Sequence, residues 1–549
     1  MKQYAMGIDF GSLSARAVIL RLTDGAELAS AVVEYPHGVM DAELCGKPLP
    51  PDWALQHPGD YLDALYTLTN EVIRQSGIDA AEIAGVGVDF TASTVLPTLA
   101  DGTPLCFLDE FAENPHAYVK MWKHHAAQAY AERLQAIAEA RGEEFLQNYS
   151  GQISGEWLFP KLWQILDEAP EIYAAMERFV EAGDWIVMQL TGCEVRSASA
   201  AGYKALWSAE SGYPSREFFA ALDERLENAV TEKLPGDVLT LGDMAGRVTK
   251  SAAALTGLAE GTPVAVSIID AHAAMPAVGV TKPGRLMMMM GTSNCLLVLG
   301  NEKRSYRGIC GTVYGGMAAG YYGYEAGQAC AGDHFDWFVR NLMPYEYELE
   351  ANRLGLSRHA YLRSLAEKKR PGETGLLALD WWNGVRSDLM DEDLSGMLLG
   401  MTLGTRAEDI YRALLEAVAY GARVITDNYE KAGVPFDEIC ACGGIAHKDP
   451  LMMQIFADVL GKPIHVAASK QAGAVGAAMF GAVAGGTFAS LTDAADVMVK
   501  PPVKTYLPDA ASHAVYDRLF ALYLALHDEF GAADSIIKRL RGIKAEMRR

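Results

Sequence analysis

One short pattern occurs twice in this chain and limits the folds that the chain can adopt. Residues 11–20 read GSLSARAVIL and residues 291–299 read GTSNCLLVL, so each half contains a turn of glycine and hydroxyl residues that leads into an apolar strand. Backbone N–H groups can converge on an anion at such a turn, because no bulky side chain blocks them. We therefore expect two related domains, each offering one phosphate-holding hairpin to a shared cleft.

These turns differ from the best-known phosphate loops. The stretch that begins at Gly7, GIDFGSLSARAV, follows neither G-x-x-x-x-G-K-[ST] nor G-x-G-x-x-G, and the first of these patterns is absent from the chain. A carboxylate, Asp9, comes directly before the first turn. Any phosphate must therefore be bound by a different kind of hairpin.

Length and composition indicate a globular enzyme with more than one domain. A chain of 549 residues suggests roughly two to four domains. Half of the residues are apolar and 21% are charged, as in ordinary globular proteins. The formal charge of −23 argues against nucleic acid or an anionic membrane as the main partner, since such binding requires clustered Lys and Arg.

Two further features predict a cytoplasmic protein. The start, MKQYAMGIDF, has no apolar stretch of signal-peptide length, and the eight cysteines include no C-x-x-C pair. The stretch from Gln471, QAGAVGAAMFGAVAGGTFASL, is uncharged over about the length of a membrane span. Its side chains are mostly Ala and Gly, so we favour a buried, closely packed helix over a membrane span.

The order of periodic segments predicts an α/β protein. A strand over YAMGIDF is followed by a hairpin that turns at Asp24-Gly25, a helix from Pro58 to Ser76 and a strand over IAGVGVDF. Residues from about 110 to 235 are rich in helical segments and suggest an insertion or cap. The α/β pattern restarts near residue 256, so we expect domains at 1–255 and 256–549, the second ending in helices.

Several motifs in a fixed order resemble the FGGY carbohydrate kinases, of the actin/hexokinase/Hsp70-like (ribonuclease H-like) ATPase superfamily. They are Asp9 with the first turn and Arg16, Asp270 in VSIIDAHAA, GTSN from Gly291 and CGGIAHKDPLMMQIFADVLGKPI from Cys442. The resemblance implies two ATPase domains with a cleft between them, the first on the sugar side and the second on the nucleotide side. Within the family, members that phosphorylate L-ribulose are most similar in the loops DFTAST at Asp89, MWKHHAA at Met121, AGYKALW at Ala201 and GYEAGQACAGD at Gly323.

The resemblance assigns the chemistry to two carboxylates. Transfer of a phosphoryl group to a sugar hydroxyl requires an in-line γ-phosphate, neutralisation of its charge and removal of the hydroxyl proton. The resemblance implies that Asp270 is the general base. It also implies ATP and Mg²⁺, with Asp9 near the metal, commonly through water, and Asp270 beside it.

The nucleotide residues also follow from the resemblance. They comprise one phosphate hairpin in each domain and a set facing the nucleoside: Gly11, Ser12, Ser14 and Arg16; Gly291, Thr292 and Ser293; and Gly332, Gly443, Gly444 and Lys448. Lys448 stands where glycerol kinases carry Asn. What this position contributes to binding the base or ribose is therefore left open.

The sugar residues implied by the resemblance are Thr91, Ala92, Lys204 and Glu325, with Asp270. Glycerol kinases carry an Arg-Glu pair where Thr91-Ala92 stands, so this site has room for a longer substrate. Lys204 and Glu325 can donate and accept hydrogen bonds to a polyol, and their opposite charges compensate each other. A five-carbon ketose fits this interpretation.

The expected activity is therefore phosphorylation of the 5-hydroxyl of L-ribulose by ATP, in L-arabinose catabolism. Two alternatives stay open: the same reaction on D-ribulose or D-xylulose, and a nucleotide-switch ATPase of the Hsp70 type that acts on a protein partner. We also expect a homo-oligomer, a dimer or larger.

Some of these residues have ordinary structural explanations. An isolated aspartate at a strand end often caps a turn or helix, and only its neighbours GTSN and Asp9 favour catalysis for Asp270. His124-His125 and His272 lack the companions of a transition-metal site, and Trp381-Trp382 are expected to pack in the core or at a domain contact.

Overall fold

The computed structural model of the protein describes residues 2–548. Its strands, numbered β1 to β24 in chain order, are Tyr4–Phe10, Ser14–Arg21, Ala26–Glu34, Glu43–Leu44, Lys47–Pro48, Leu55–Gln56, Ile83–Phe90, Val95–Thr98, Val119–Lys120, Arg178–Glu181, Val195–Ser197, Asp237–Leu239, Met244–Arg247, Pro263–Ala265, Ile268–Ile269, Gly284–Met290, Asn294–Gly300, Gly311–Tyr314, Tyr322–Gln328, Leu377–Leu379, Met397–Leu399, Phe436–Cys442, Ile464–Val466 and Lys504–Tyr506.

The α-helices, numbered α1 to α20, are Pro58–Ser76, Gln128–Arg141, Leu158–Glu168, Pro170–Ala175, Ala182–Thr191, Ala198–Lys204, Arg216–Leu222, Ala229–Lys233, Lys250–Thr256, Asp270–Ala277, Gly332–Asn341, Tyr345–Arg353, Arg358–Ala366, Ala407–Lys431, Gly444–Lys448, Pro450–Leu460, Ala472–Ala484, Leu491–Met498, Ala510–Phe530 and Ile536–Arg548. Short 3₁₀ helices cover Ala80–Glu82, Leu105–Phe107, Pro115–Ala117, Glu144–Tyr149 and Glu224–Leu226.

The first domain is built on a mixed sheet with the order β13-β14-β7-β1-β2-β3, and β15 also pairs with β7. Strand β1 is antiparallel to β2 and parallel to β7. The register places Asp9 opposite Asp89 and Phe10 opposite Phe90. The carboxyl ends of β1, β7 and β15 therefore meet at one edge of the sheet.

The second domain repeats this arrangement in a sheet with the order β18-β19-β17-β16-β22-β23-β24. Strand β16 is antiparallel to β17 and parallel to β22, as β1 is to β2 and β7. One buried apolar core surrounds the first sheet and extends to one face of the second sheet at Met287 and Leu297, and another covers the opposite face of the second sheet. The prediction of two related α/β domains, each with a hairpin at its centre, is confirmed.

Helix α1 shows how local sequence sets an element. Pro58 is the first residue of the helix, and His57 before it accepts a hydrogen bond from the Gly59 N–H. Pro is favoured at this position because its missing N–H would have no helical partner. The helix ends at Gly77, whose φ of 66° is the left-handed conformation that glycine adopts without strain. Both ends match the predicted helix.

Helix α17 covers the uncharged stretch from Gln471 and packs on the first sheet, although it belongs to the second half of the chain. A Cβ on Gly7 of β1 would lie 1.8 Å from the Ala474 carbonyl oxygen, and one on Gly87 of β7 would lie 1.8 Å from that of Ala477. Glycines thus let the helix backbone lie directly against the strands. No helix within residues 2–548 is long and apolar enough to cross a membrane.

The first sheet takes strands from both sides of the expected junction at residues 255 and 256. Strands β14 and β15 follow this junction, yet both pair with β7. Helix α10 starts directly after β15 and packs against α17. The chain passes to the second sheet only after α10.

The region from about 110 to 235 contains helices α2 to α8, as predicted, and short strands besides. Strands β9 and β10 join a small sheet with the order β10-β8-β9-β6, and β11 pairs with β12 just past its end. A third apolar core lies mainly in this region, with Trp163 and Tyr149 fully buried, and it also includes Trp53 and Val95 from before the region. The insertion and these earlier residues therefore share one core.

Candidate active site

Three carboxyl groups meet at the carboxyl edge of the first sheet. Asp9 and Asp89 lie opposite each other on β1 and β7. Ile268 of β15 pairs with Asp89, and Asp270 follows as the first residue of α10. Asp89 is fully buried, and its carboxyl group interacts with that of Asp9. The cluster therefore brings three titratable carboxyl groups together, two of them buried.

The cluster changes the acidity of its members. Burial raises the pKa of Asp270 to about 7, and the charge of Asp9 adds to the rise, while the Ala271 N–H opposes it. Burial also raises the pKa of Asp9, although Arg16 works against the shift. The pKa of Asp89 lies well above its usual value because of burial and then its two acidic neighbours. These shifts fit a site that handles protons or cations.

Two helices begin at this cluster. The Asp270 Oδ1 accepts a hydrogen bond from the Ala271 N–H at 2.7 Å, within the first turn of α10. A Cβ on Gly473, in the first turn of α17, would lie 3.1 Å from the Asp9 Oδ2 and 3.5 Å from the Asp89 Oδ2. The positive ends of both helix dipoles therefore face the carboxyl groups.

The first predicted phosphate hairpin connects β1 to β2. The Gly11 N–H donates to the Ser14 carbonyl oxygen at 3.0 Å and closes the turn. The Trp122 Nε1–H donates to the Ser12 Oγ at 3.0 Å, and the Gln56 side chain donates to the Ser12 carbonyl oxygen at 2.8 Å. The turn is thus held from outside. Arg16 lies beside it, with its Nε 3.5 Å from the Asp9 Oδ2.

The second predicted hairpin connects β16 to β17 in the same way. The Gly291 N–H donates to the Ser293 carbonyl oxygen at 3.0 Å. The start of α11 supports this turn, because the Ala331 N–H donates to the Thr292 carbonyl oxygen at 2.8 Å and the Gly332 N–H to that of Gly291 at 3.0 Å. A Cβ on Gly332 would lie 2.7 Å from the same Gly291 oxygen. Gly332 therefore contacts the hairpin directly.

The Gly-Gly turn follows β22, the neighbour of β16. Gly443 has a φ of 93°, and a Cβ there would lie 2.3 Å from the Met290 carbonyl oxygen. Gly444 has nothing within 4 Å of such a Cβ and begins the short helix α15. Lys448 ends this helix with an exposed side chain, and its carbonyl oxygen accepts a hydrogen bond from Arg363 at 2.6 Å. Gly443 is thus closely packed against β16, whereas Gly444 next to it has open space on its Cβ side.

The predicted sugar residues Lys204 and Glu325 meet between the domains. Lys204 ends α6, Glu325 lies on β19, and the Lys204 Nζ is 3.4 Å from the Glu325 Oε1. The His272 Nε2 lies 3.3 Å from the Glu325 Oε2. Burial would raise the pKa of Glu325, but Lys204, His272 and Arg386 outweigh burial and hold this pKa well below its usual range. Glu325 is therefore a charged acceptor.

The loop that carries Thr91 and Ala92 continues from β7 and Asp89. The Thr91 N–H donates to the Phe10 carbonyl oxygen at 3.1 Å. Ser93 has a φ of 54°, which is uncommon for a residue other than glycine. The buried Lys161 ammonium donates to the Ser93 carbonyl oxygen at 2.6 Å. The loop is thus fixed next to the acidic cluster.

The acidic cluster suits a hard divalent cation. Mg²⁺ prefers oxygen ligands and is often bound through one or two carboxylates together with substrate phosphates. Asp9 and Asp270 supply such oxygens, and the Arg16 Nε, 3.5 Å from the Asp9 Oδ2, opposes but does not cancel the rise in the pKa of Asp9. The residues therefore fit Mg²⁺.

Within residues 2–548, one group of three ligand-type side chains has all its ligand atoms within 4.8 Å of one another, and it lies outside the acidic cluster: His37, His57 and Asp60. Its members bond to the protein instead. Asp60 accepts from the His37 N–H at 3.0 Å and contacts the His37 Nδ1 at 2.7 Å. The His57 Nδ1 accepts from the Gly59 N–H at 3.1 Å.

Sequence reasoning missed two residues of this site as functional groups. Asp89 stands within a motif that was noted only for Thr91 and Ala92. The repetition of GIDF at Gly7 and GVDF at Gly87 could have identified it, because in-register parallel strands bring both aspartates together. Arg386, whose NH2 donates to the Glu325 Oε1 at 2.7 Å, lies in a loop with no motif that could have indicated it.

Comparison with known sequences agrees with the two-domain architecture. Residues 4–277 match the N-terminal domain of the FGGY family of carbohydrate kinases, and residues 286–485 match its C-terminal domain. The chain is 50% identical over 554 residues to a protein named ribulokinase from Geobacillus thermodenitrificans, covering 100% of this chain and 98% of the relative. It is 47% identical over 550 residues to a ribulokinase from Mycolicibacterium smegmatis, covering 100% and 97% of the two chains.

Solved structures show the same fold at low identity. A xylulose kinase from Rhodospirillum rubrum superposes with a TM-score of 0.77 at 24% identity, covering 96% of this chain and 98% of the other. Plasmodium falciparum glycerol kinase with ADP gives a TM-score of 0.73 at 16% identity, covering 95% and 97%. The predicted fold class, two actin/hexokinase-like ATPase domains, is confirmed.

Proposed function

This chain belongs to the FGGY family of carbohydrate kinases, and we propose that it transfers the γ-phosphoryl group of ATP to the 5-hydroxyl of L-ribulose with Asp270 as the general base. That it is an ATP-dependent sugar kinase follows from the family and from full-length relatives. One observation carries the finer proposal. Asp270 follows β15, whose Ile268 pairs with Asp89 beside Asp9, and His272, two residues later on α10, lies 3.3 Å from Glu325, so Asp270 connects the acidic cluster with the Lys204–Glu325 pair.

Asp270 has properties that suit a general base. Its pKa of about 7 lies near working pH, where a base combines a usable deprotonated fraction with enough basicity to take a proton. The transition state of phosphoryl transfer is loose, so the attacking hydroxyl loses its proton late and a carboxylate is basic enough. In this proposal Asp270 orients the 5-hydroxyl and then accepts its proton at a carboxylate oxygen.

The two hairpins would bind the phosphates of ATP. Gly11, Ser12 and Ser14 on one side and Gly291, Thr292 and Ser293 on the other offer backbone N–H groups and hydroxyls, donors that suit phosphate oxygens. The Trp122 N–H already donates to the Ser12 Oγ, which leaves the Ser12 hydroxyl proton free for a phosphate oxygen. Arg16 would add a cation beside the first hairpin.

Asp9 and Asp270 would hold Mg²⁺, and this ion, when bound, supplies the positive charge that neutralises the triphosphate. The nucleoside would lie against Gly332 and the Gly443-Gly444 turn, where the open side of Gly444 leaves room for a flat ring. Lys448, exposed at the end of α15, would contact the base or ribose in place of the Asn of glycerol kinases.

The sugar would bind between the two domains. Lys204 would donate hydrogen bonds to the hydroxyl oxygens of the sugar, and Glu325 would accept hydrogen bonds from its hydroxyl groups. Thr91 and Ala92 would line the end of the site that glycerol kinases close with an Arg-Glu pair. The choice of L-ribulose rests on the relatives named ribulokinase, which match this chain over its whole length. Such a kinase would serve L-arabinose catabolism.

The test is the release of ADP by the purified protein with Mg·ATP and one sugar at a time. L-ribulose, D-ribulose, D-xylulose and glycerol are compared with a reaction that lacks sugar. We expect the highest kcat/KM for L-ribulose and none above background for glycerol. A preference for D-ribulose or D-xylulose would overturn the choice of sugar, and turnover that no sugar increases would overturn the kinase proposal itself.

Three further predictions complete the proposal. We propose a division of labour in which the first domain, which continues through α10 rather than ending at residue 255, forms the sugar side and the second domain the nucleotide side. We also propose a homo-oligomer and a cytoplasmic location, which separation by size and cell fractionation can test.

A further inference from the structure

Arg386 is the third cationic or imidazole group around Glu325, after Lys204 and His272. Its NH2 donates to the Glu325 Oε1 at 2.7 Å, a shorter contact than the 3.4 Å from the Lys204 Nζ. The Glu325 and Lys204 side chains are only 6% and 7% exposed, whereas that of Arg386 is 34% exposed. Arg386 therefore presents more surface to solvent than the pair that was predicted to bind the sugar.

The backbone around Arg386 is fixed from several sides. Val385 and Asp391 exchange two backbone hydrogen bonds of 2.9 and 2.8 Å. The Ser387 Oγ accepts a hydrogen bond from the Gly327 N–H at 2.8 Å, and Gly327 lies on β19, the same strand as Glu325. Asp388 contacts the Asn428 Nδ2 at 2.8 Å and the His527 Nε2 at 3.0 Å. The guanidinium is thus held in place before any ligand binds, which reduces the entropy cost of using it.

A second acidic side chain also favours the charged form of Arg386. Its pKa is raised well above the usual value, because Cys295, Cys310, Glu325 and Glu156 outweigh the effect of burial. Glu156 comes from the insertion of the first domain, and the His125 Nε2 lies 3.1 Å from its Oε1. Acids of both domains therefore stabilise the guanidinium, and the one in direct contact is Glu325.

The contacts of Glu325 show how these groups are arranged. His272, two residues after Asp270 on α10, lies 3.3 Å from the Glu325 Oε2, while Arg386 donates to the Glu325 Oε1 at 2.7 Å. Glu325 therefore lies between α10 and Arg386. A guanidinium carries five N–H donors, of which Glu325 uses one. The others can donate to carbonyl or hydroxyl oxygens of a bound sugar.

We propose that Arg386 is a sugar-binding residue that recognises the C1–C2 hydroxyketone end of the ketopentose, opposite to the hydroxyl that is phosphorylated. This inference rests on the proposed function, because the hydroxyl at the other end must lie at Asp270. A carbonyl oxygen is a pure acceptor and suits the donor-only guanidinium. Arg386 thereby distinguishes a ketopentose from a polyol that lacks the carbonyl.

The test compares Arg386→Met, which keeps the aliphatic stem, with Arg386→Lys, which keeps the charge. Arg340→Met is the matched control, since Arg340 is an exposed arginine on α11 that pairs with Asp336. For each protein, KM and kcat are measured with L-ribulose, with ATP, and with a pentitol, in which a hydroxyl replaces the C2 carbonyl.

We expect Arg386→Met to raise the KM for the ketopentose about 10-fold or more, the scale of a lost hydrogen bond to a charged group, while the KM for ATP stays within about 2-fold. The preference for ketopentose over pentitol should fall in Arg386→Met and fall less in Arg386→Lys. The control should match the wild type in every constant.

Three results would overturn the inference. The first is an unchanged ketopentose KM in Arg386→Met, and the second is an unchanged ketopentose-to-pentitol ratio. The third is an equal rise of both KM values with a lower melting temperature, which indicates a structural role. If Arg386→Met does not fold, the ratio in Arg386→Lys decides. Wild-type protein that turns over no ketopentose would instead overturn the proposed function, and this inference with it.

Discussion

The central strands of the two sheets end in opposite chemistry. Aligning Gly11 with Gly291 places Asp9 of β1 at the position of Met289 of β16. Their parallel neighbours differ in the same way, because Asp9 pairs with Asp89 whereas Met289 pairs with Cys442. The first domain thus ends its strands in two carboxyl groups and the second in two sulfur-containing side chains.

This difference shows how a repeated framework supports an asymmetric reaction. Both hairpins close with one backbone hydrogen bond of 3.0 Å, so both halves keep the turn that we propose binds phosphate. Only the first half adds carboxylates, which suit a cation and a proton acceptor. The apolar end of the second half leaves the glycine turn at Gly443 without a charged neighbour on β16, which fits the nucleoside proposed there.

The hairpins also differ in their supports. Trp122 and Gln56, which hold Ser12, belong to the first domain, for which we propose the sugar side. The Ala331 and Gly332 N–H groups, which hold the second hairpin, come from α11. A sugar that shifts the first set of supports can therefore change the first hairpin without changing the second.

The largest expected effect is on kcat, and it follows from replacing the proposed base, Asp270, beside the acidic strand ends of the first sheet. Asp270→Asn should lower kcat by about 10²–10⁴-fold, the usual contribution of a positioned general base, while ATP still binds. The wild-type kcat/KM should rise with pH through about 7, because the pKa of Asp270 is about 7 and only the deprotonated carboxylate accepts the proton. Steady-state rates between pH 5.5 and 9 measure both effects.

The control is binding of ATP to Asp270→Asn by calorimetry, with Asp63→Asn on the exposed face of α1 as the matched variant. Substantial turnover in Asp270→Asn would remove Asp270 from the role of base. A pH dependence that persists unchanged in the variant would assign the titration to another group.

The second prediction concerns a variant in which the apolar end of β16 receives a carboxyl group, like the end of β1. Met289→Asp should raise the KM for ATP about 30-fold or more, since like charges a few Å apart repel by several kcal/mol at an effective dielectric constant near 20. The KM for the sugar should change little, because Met289 lies on the nucleotide side. Steady-state kinetics with each substrate varied in turn separate the two constants.

Met289→Leu is the control, because it keeps an apolar side chain of similar volume. An unchanged KM for ATP in Met289→Asp would contradict the assignment of the second hairpin to the triphosphate. Equal increases in both KM values would show that the difference between the two strand ends does not separate sugar from nucleotide.

The sequence predicted the repeated framework better than the insertion. Helix α1 was predicted at both ends, because Pro58 and Gly77 mark them chemically. The small sheet of the insertion was missed, since Val119–Lys120 and Arg178–Glu181 are too short for a period to show. Strands of this length depend on their neighbours in space rather than on local sequence.

The site was predictable where a motif carried it. Asp9 and Asp270 precede or begin recognisable turns, whereas Asp89 was overlooked beside Thr91, and Arg386 belongs to a loop fixed by distant partners such as Gly327 and His527. Long-range contacts of this kind leave no local pattern. The roles of all these residues stay predictions, although the structure brings them together.

The third prediction separates two adjacent glycines of the apolar end. Gly443→Ala should raise the KM for ATP about 10-fold and lower the melting temperature, because a positive φ and a Cβ 2.3 Å from the Met290 carbonyl oxygen both oppose a side chain. Gly444→Ala is the matched control, since nothing lies within 4 Å of its Cβ. Kinetics and thermal melting of both variants decide.

Two results would contradict this interpretation. Equal behaviour of the two variants would mean that backbone strain at Gly443 does not shape the nucleotide side. A larger loss of ATP affinity in Gly444→Ala than in Gly443→Ala would instead indicate that the nucleoside lies directly on Gly444.

The smallest expected effect is on the melting temperature, and it concerns the stability that the folded protein loses by burying the carboxyl group of Asp89. Burial, then Asp9 and Asp270, raises the pKa of Asp89 well above its usual value. A carboxyl group whose pKa is raised in the folded state binds its proton more tightly there than in the unfolded chain. Its full contribution to stability is therefore present below the unfolded pKa of about 4, and it is lost as the pH rises towards the folded pKa.

Asp89→Asn removes this titration and keeps the shape of the side chain. The melting temperature of the variant relative to wild type should therefore increase between pH 5 and pH 8, by about 1 °C for each kcal/mol removed, because the unfolding entropy of a chain of this length is on the order of 1 kcal/mol/K. Thermal melts at several pH values, with Asp63→Asn as the control, measure the difference. A difference that stays constant with pH would show that Asp89 is not strained by its neighbours, and that the acidic end is no less stable than the apolar one.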